Sequence, residues 1–152
     1  LPARADLSVQ VADVDNDGDS DILLLATGDE AVRVWRNDGG SRNAALRVKA
    51  VGAGANRDGI GAVVTVKTAS GGTLRRMVKT GSSYLSQSEL PLTFGLGKPG
   101  TQSGVRLQIV WPSGQKDSIE DVKPNQFITL REGKGIVSSM ALPFVNPKPA
   151  TK

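Results

Sequence analysis

The 152-residue chain contains no cysteine and no histidine. The first absence rules out disulfides and thiol nucleophiles, the second rules out Ser-His-Asp triads and imidazole acid–base chemistry, and together they rule out Cys/His zinc sites. Aromatic residues make up only 4% of the sequence, two Trp, one Tyr and three Phe, so there is little material for a base-stacking surface. No apolar run approaches the ~20 residues that span a bilayer as a helix, and no secretory leader stands at Leu1. If the natural protein is exported, its signal is expected upstream of this piece. What remains is enough for one domain with a real core: 38% hydrophobic residues spread along the chain.

The charge is unevenly placed. Residues 1–30 hold eight of the fifteen acidic residues and one of the nineteen basic ones, leaving seven acidic and eighteen basic residues beyond. Five of the early acids fall in nine residues, Asp13, Asp15, Asp17, Asp19 and Asp21, at alternate positions around Asn16 and Gly18. So much negative charge repels itself in a compact turn unless a cation shares it. Calcium takes about six to eight oxygen ligands in flexible geometry, whereas magnesium demands a near-ideal octahedron and keeps its waters. The expected donors are the carboxylates of Asp13, Asp15, Asp17 and Asp21 with the backbone carbonyl of Asp19. Gly18 stands where the loop must turn, a place suited to positive φ. An ordinary solvated Asp/Asn/Gly turn is the plain alternative.

An EF-hand needs a Glu at its twelfth loop position and helices on both sides. Counted from Asp13, that position is Leu24, inside the apolar run Ile22-Leu23-Leu24-Leu25. With its last carboxylate at the ninth position, ahead of a strand, the stretch resembles the DxDxDGxxD loop of FG-GAP (integrin-type propeller) repeats. That resemblance implies calcium held in a hairpin between two strands.

Strand signals recur along the rest of the chain. Residues 7–12 alternate apolar and polar, Ile22 to Ala26 reads as a buried strand, and Val32, Val34 and Trp35 continue a small antiparallel meander. Asn37-Asp38-Gly39-Gly40-Ser41 breaks the pattern, which places a boundary there. Further strands are expected at Leu46–Val51, Ala62–Thr68, Leu74–Lys79, Leu92–Phe94, Val105–Trp111, Ser118–Val122 and Phe127–Leu130, the last. Ser70-Gly71-Gly72 is a hairpin turn. Residues 80–89 read as a polar loop. No helical period is sustained. The fold class is therefore all-β, an antiparallel sandwich or partly closed barrel behind an N-terminal meander. The organisation expected is 1–40 for the meander, 41–137 for the main domain and 138–152 for a loose, proline-containing tail.

Several stretches in order, Asn56-Arg57-Asp58-Gly59-Ile60-Gly61-Ala62, Gly81 to Ser88, Phe94-Gly95-Leu96-Gly97, Trp111-Pro112-Ser113-Gly114 and Asn125-Gln126, resemble the ASPIC/UnbV domain from about Asn43 to Glu132. That domain, found in cartilage acidic protein and many bacterial exported proteins, typically follows FG-GAP repeats. One departure is Thr93, where many relatives carry His before Phe-Gly-Leu-Gly. The resemblance implies an extracellular, periplasmic or cell-surface setting, a binding or adhesion role without an established reaction, and upstream propeller blades, since a lone repeat cannot close a propeller of about 4–8 blades. On that reading Leu1 is a cut.

Three functions compete. A calcium-stabilised recognition module for a protein or glycan would use loops on the rigid scaffold, with Asn56, Arg57 and Asp58 in one and Tyr84, Ser86 and Gln87 in another. The same polar residues could instead satisfy backbone groups and fix the loops. An enzyme, hydrolytic or accessory, would need two of Asp58, Glu89, Asp117, Glu120 and Asp121 to converge ~5–9 Å apart across a cleft. Nucleic-acid binding would lean on the basic portion and Arg75-Arg76, but neighbours in a strand point to opposite faces. Gly95-Leu96-Gly97 is not placed as a strand-to-helix phosphate loop. Trp111 alternates with aliphatics, as a core residue does.

Overall fold

The computed structural model describes residues 6–26, 32–54, 56–98, 100 and 104–143. Among them lie thirteen strands and one short 3-10 turn, Gly40–Arg42. β1 (Asp6–Ala12), β2 (Asp21–Ala26) and β3 (Arg33–Trp35) form the expected antiparallel meander. The main body is two four-stranded sheets. One runs β13 (Gly135–Ala141), β12 (Gln126–Arg131), β4 (Ala44–Val51), β9 (Leu92–Gly97). The other runs β11 (Lys116–Val122), β10 (Val105–Val110), β5 (Val63–Lys67), β6 (Thr73–Met77). A two-stranded hairpin, β7 (Gly81–Ser83) and β8 (Ser86–Gln87), lies within the stretch expected to be a polar loop. The fold is all-β, an open sandwich and not a closed barrel.

Alternation decides the packing. Register aligns Leu46 with Phe94, Val48 with Ile128, Val64 with Ile109 and Val66 with Leu107, so each sheet turns one apolar face inward. These residues, with Leu130 and Trp111, are essentially sealed from solvent. Each such side chain contributes roughly 1.5–3 kcal/mol relative to exposure. Trp111 is core, as its spacing implied, and its indole donates to Asp117 Oδ2 at 2.7 Å. All pairings are antiparallel except β4 with β12, which run parallel in the middle of their sheet.

Three expectations need correction. Ile22–Leu25 is not a buried strand: only Leu24 is well covered, while Ile22 and Leu25 are 39% and 43% exposed, because no second layer stacks on the meander among the described residues. Phe127–Leu130 is not the last strand, and the tail is not loose from Ser138. Ser138–Ala141 belong to β13, which pairs with β12. β13 is an edge strand with almost every residue exposed, so no core-facing alternation marks it in the sequence. Beyond it Leu142 is buried, its N–H donating to Asn125 O at 2.9 Å. Residues 144–152 lie outside the described residues.

Candidate functional site

The Asp loop joins β1 to β2, closed at its base by the pairing of Ala12 with Asp21. Two residues turn it, Asn16 at φ 59° and Gly18 at φ 95°. Asn tolerates the left-handed region and Gly occupies it freely. Asp13, Asp17, Asp19 and Asp21 are buried, Asp21 completely, while Asp15 is exposed. One carboxylate oxygen from each of Asp13, Asp15 and Asp21 falls within 4.8 Å of the others. Three of the five sequence-predicted acids are thus brought together.

The loop amides fix these carboxylates. Asp13 Oδ1 accepts from Asp17 N–H at 3.0 Å and its Oδ2 from Gly18 N–H at 2.9 Å. Asp21 accepts from Val14 N–H at 2.9 Å and from Asn37 N–H at 2.8 Å, one on each oxygen. Asp17 supports the turn itself, its Oδ1 accepting from Asp19 N–H at 3.0 Å. Asp19 lies against the 3-10 turn, so close that a Cβ on Gly40 would meet its Cβ at 2.5 Å. A carboxylate offers about four lone-pair sites, so Asp21 and Asp13 Oδ1 keep acceptor capacity after these bonds. A hard cation fits such an all-oxygen set.

Below the loop stands a residue that sequence reasoning missed. Arg47, in the middle of β4, pairs in register with Thr93 and Phe127. That places it on the outer face of its sheet, yet it is only 2% exposed, because the Asp loop covers it. Its Nη1 reaches Asp13 Oδ2 at 3.0 Å and Asn16 Oδ1 at 2.8 Å. Its Nη2 bonds Glu89, and its guanidinium carbon lies 4.9 Å from the centre of the Phe127 ring. Glu89 in turn accepts from Asp13 N–H at 3.2 Å, and its own N–H donates to Val11 O at 3.2 Å. Arg47 and Glu89 therefore clamp the meander to the main body. Burial pushes the carboxyls of both Asp13 and Glu89 above their ordinary range, outweighing the nearby guanidinium that pulls them down. No local signal exposes this role: an Arg at an outward position in an alternating strand reads as solvated.

The two predicted recognition loops do not line a common cavity. Asn56 donates to Ile60 O at 2.7 Å and accepts from Ile60 N–H at 3.0 Å, closing its own loop. Gly59, at φ 61°, packs so tightly that a Cβ there would meet Ala50 Cβ at 2.9 Å. Arg57 and Asp58 beside them are exposed. Asn56 lines a cavity of about 320 Å³ with Trp111, Ser113 and Glu132, whereas Tyr84, Ser86 and Gln87 belong to the β7–β8 turn and do not reach it. Ser86 is buried, its hydroxyl donating to Tyr84 O at 3.0 Å, while Tyr84 is 75% exposed and Gln87 is exposed.

Two of the remaining acids have protein partners. Asp117 accepts from Trp111, Gln115 and Gly133. Burial works against its charge, but these bonds prevail and hold its carboxyl below the ordinary range. Glu120 pairs with Arg106 at 2.6 Å. A second cleft, of about 510 Å³, opens between β1 and the ends of β6 and β9. Each of these two cavities holds one carboxylate, Glu132 or Glu89, not the convergent pair that glycoside hydrolysis needs. Arg75 and Arg76 register with Thr65 and Val64 and so point to opposite faces, as expected.

No curated protein matches the chain. The family model described as ASPIC and UnbV matches residues 52–137, more than half of the sequence, and the Asp loop, the meander and the whole of β4 precede the matched stretch. With Gly59 and Trp111 of its motifs serving the geometry just described, the chain belongs to the ASPIC and UnbV family.

Proposed function

We propose that the loop from Asp13 to Asp21 binds Ca²⁺, and that the chain is an ion-braced, non-enzymatic recognition module of a longer extracellular or surface protein. The observation that carries the cation is the approach of Asp13, Asp15 and Asp21 oxygens within 4.8 Å of one another, with two of the three carboxylates buried. The ion would supply the positive charge that the buried Arg47 on Asp13 and the exposed Arg36, 3.8 Å from Asp15, leave short for five acids. Asp17 and Asp19 complete the loop, Asp17 by its carboxylate and Asp19 by its carbonyl in the FG-GAP-like reading. Recognition by a protein or glycan partner is supported by family membership and by the exposed Tyr84 and Arg57-Asp58 on a rigid scaffold.

Upstream blades as neighbours are supported by the apolar residues left exposed on the meander. Val9, Val11, Ile22 and Trp35 share one face by register, and all are at least 39% exposed. Val34, on the other face, is 51% exposed. A sheet apolar on both sides belongs between layers. Among the described residues no helix is long and apolar enough to cross a membrane.

Thermal unfolding in chelator against a calcium titration tests the site, with Asp15→Asn/Asp17→Asn alongside. A ligand bound only by the folded state raises stability by about 2.7 kcal/mol at a hundredfold excess over Kd. The expected result is a saturating rise that the double substitution abolishes. No rise in the parent chain would overturn the calcium reading.

A further inference from the structure

The cleft of about 510 Å³ between β1 and the ends of β6 and β9 borders the Asp loop through Ser20 and Glu89 but is lined by none of the loop's aspartates. It sits where the two sheets part, since β6 and β9 are the edge strands of their respective sheets. Arg76 registers with the core residue Val64, so this arginine is on the inward face of β6, at the open seam. Lys79 follows two residues after the strand and lines the same cleft. Neither makes an ion pair among the described residues. Glu89, the cleft's carboxylate, is already engaged by Arg47. The cleft is therefore cationic, with two unspent positive charges converging on it.

Its other walls narrow the ligand. Thr80, Ser82, Ser88 and Ser20 contribute hydroxyls, and Met77 and Leu92 an apolar strip. Ser88 Oγ accepts from Val11 N–H at 3.3 Å, while the Thr80 and Ser20 hydroxyls make no hydrogen bond among the described residues. No aromatic ring lines the cleft, which disfavours a stacked nucleobase. The volume falls within the roughly 300–1,000 Å³ of small-ligand sites. A hydroxylated ring carrying one acid group matches all of this: the acid for Arg76 and Lys79, the ring hydroxyls for the Ser and Thr side chains, the C–H face for Met77 and Leu92.

We propose that this cleft binds an anionic saccharide, a sugar ring bearing a carboxylate or a sulfate. The inference rests on the recognition half of the reading above, naming its ligand class, and is independent of the calcium half. An inward charge on an edge strand also deters edge-to-edge pairing; that role alone predicts no ligand and no dependence on Lys79.

The test is calorimetric titration and amide chemical-shift mapping of the full chain, in calcium and in chelator. The probes are a galacturonate trisaccharide, a heparin-derived tetrasaccharide, neutral maltotriose and inorganic sulfate. The two acidic saccharides separate a carboxylate ligand from a sulfated one. Binding of either, with shifts confined to residues around Met77–Ser82 and Glu89–Thr93, supports the proposal. So does at least a tenfold loss in Arg76→Gln/Lys79→Gln, with less than a twofold change in Arg75→Gln, whose side chain is on the opposite face. All three arginine and lysine side chains are exposed, and an unchanged melting midpoint confirms that the variants fold. Equal response to inorganic sulfate and equal loss in Arg75→Gln would mean surface charge only and would overturn it. Absence of any binding by the acidic saccharides would also overturn it. Maltotriose binding that survives Arg76→Gln/Lys79→Gln would overturn the anionic ligand while leaving the recognition reading standing.

Discussion

At the scale of single residues, Arg47 decides more than any other side chain outside the core. It is a fully covered cation between two carboxylates, Asp13 and Glu89, and an aromatic ring. Removing one partner of a buried ion pair costs about 3–5 kcal/mol, because the charge left behind stays desolvated. Arg47→Met keeps the length and packing of the stem but strands both acids. Its expected cost in chelator is therefore about 3–5 kcal/mol by denaturant unfolding. In saturating calcium the loss should be smaller, since an ion on Asp13 replaces part of the missing charge. An equal loss in both conditions would mean that the loop takes no cation. Nothing in the run from Leu46 to Val51 announces this role. Alternation correctly assigns Arg47 to the outer face, but only the fold shows that the Asp loop lies over that face. Trp111 is the opposite case, legible because its burial follows from the strand's own period.

At the scale of elements, the β1–β2 hairpin and its loop were the most legible part of the chain. Acid spacing, the Gly18 turn and the following apolar run each reflect a local constraint, so sequence suffices to place them. Which acids converge was less legible, because it depends on where each amide points: Asp17 turns back to accept from Asp19 N–H, whereas Asp13, Asp15 and Asp21 approach one another. The loop also predicts a pH response. Burial raises the folded-state pKa of Asp13 and, next to it, of Glu89. Between the ordinary carboxylate range and those raised values, the folded state binds more protons than the unfolded one. Stability must then fall as pH rises through that window and recover as pH falls. In chelator, the melting midpoint should accordingly rise on mild acidification from neutral pH, down to just above the ordinary carboxylate range. Saturating calcium should flatten or reverse that trend, because an ion favours the deprotonated loop. A midpoint that falls steadily on acidification in chelator would contradict the raised values.

At the scale of the molecule, two parts of unlike completeness are joined. The sandwich closes its own core, and its class and motifs were legible because alternation and glycine turns are local signals. The β13 edge was not legible, having no buried face to impose a pattern. The meander is instead a single layer with Val9, Val11, Val34 and Trp35 exposed on its two sides, Trp35 to 57%. The apolar run Ile22–Leu25 suggested burial that the described residues do not provide, and the proposed upstream layer would supply it. Contiguous exposed apolar area of this kind drives association. The chain alone should therefore self-associate with rising concentration through the face carrying Val11, Ile22 and Trp35. Val11→Lys/Trp35→Lys places two charges on that face without touching the Asp loop or the sandwich core. Sedimentation velocity should show the parent chain moving to larger species with concentration while the variant stays monomeric. If both remain monomeric at millimolar concentration, the bare sheet tolerates water by itself, and the case for a covering layer falls with it.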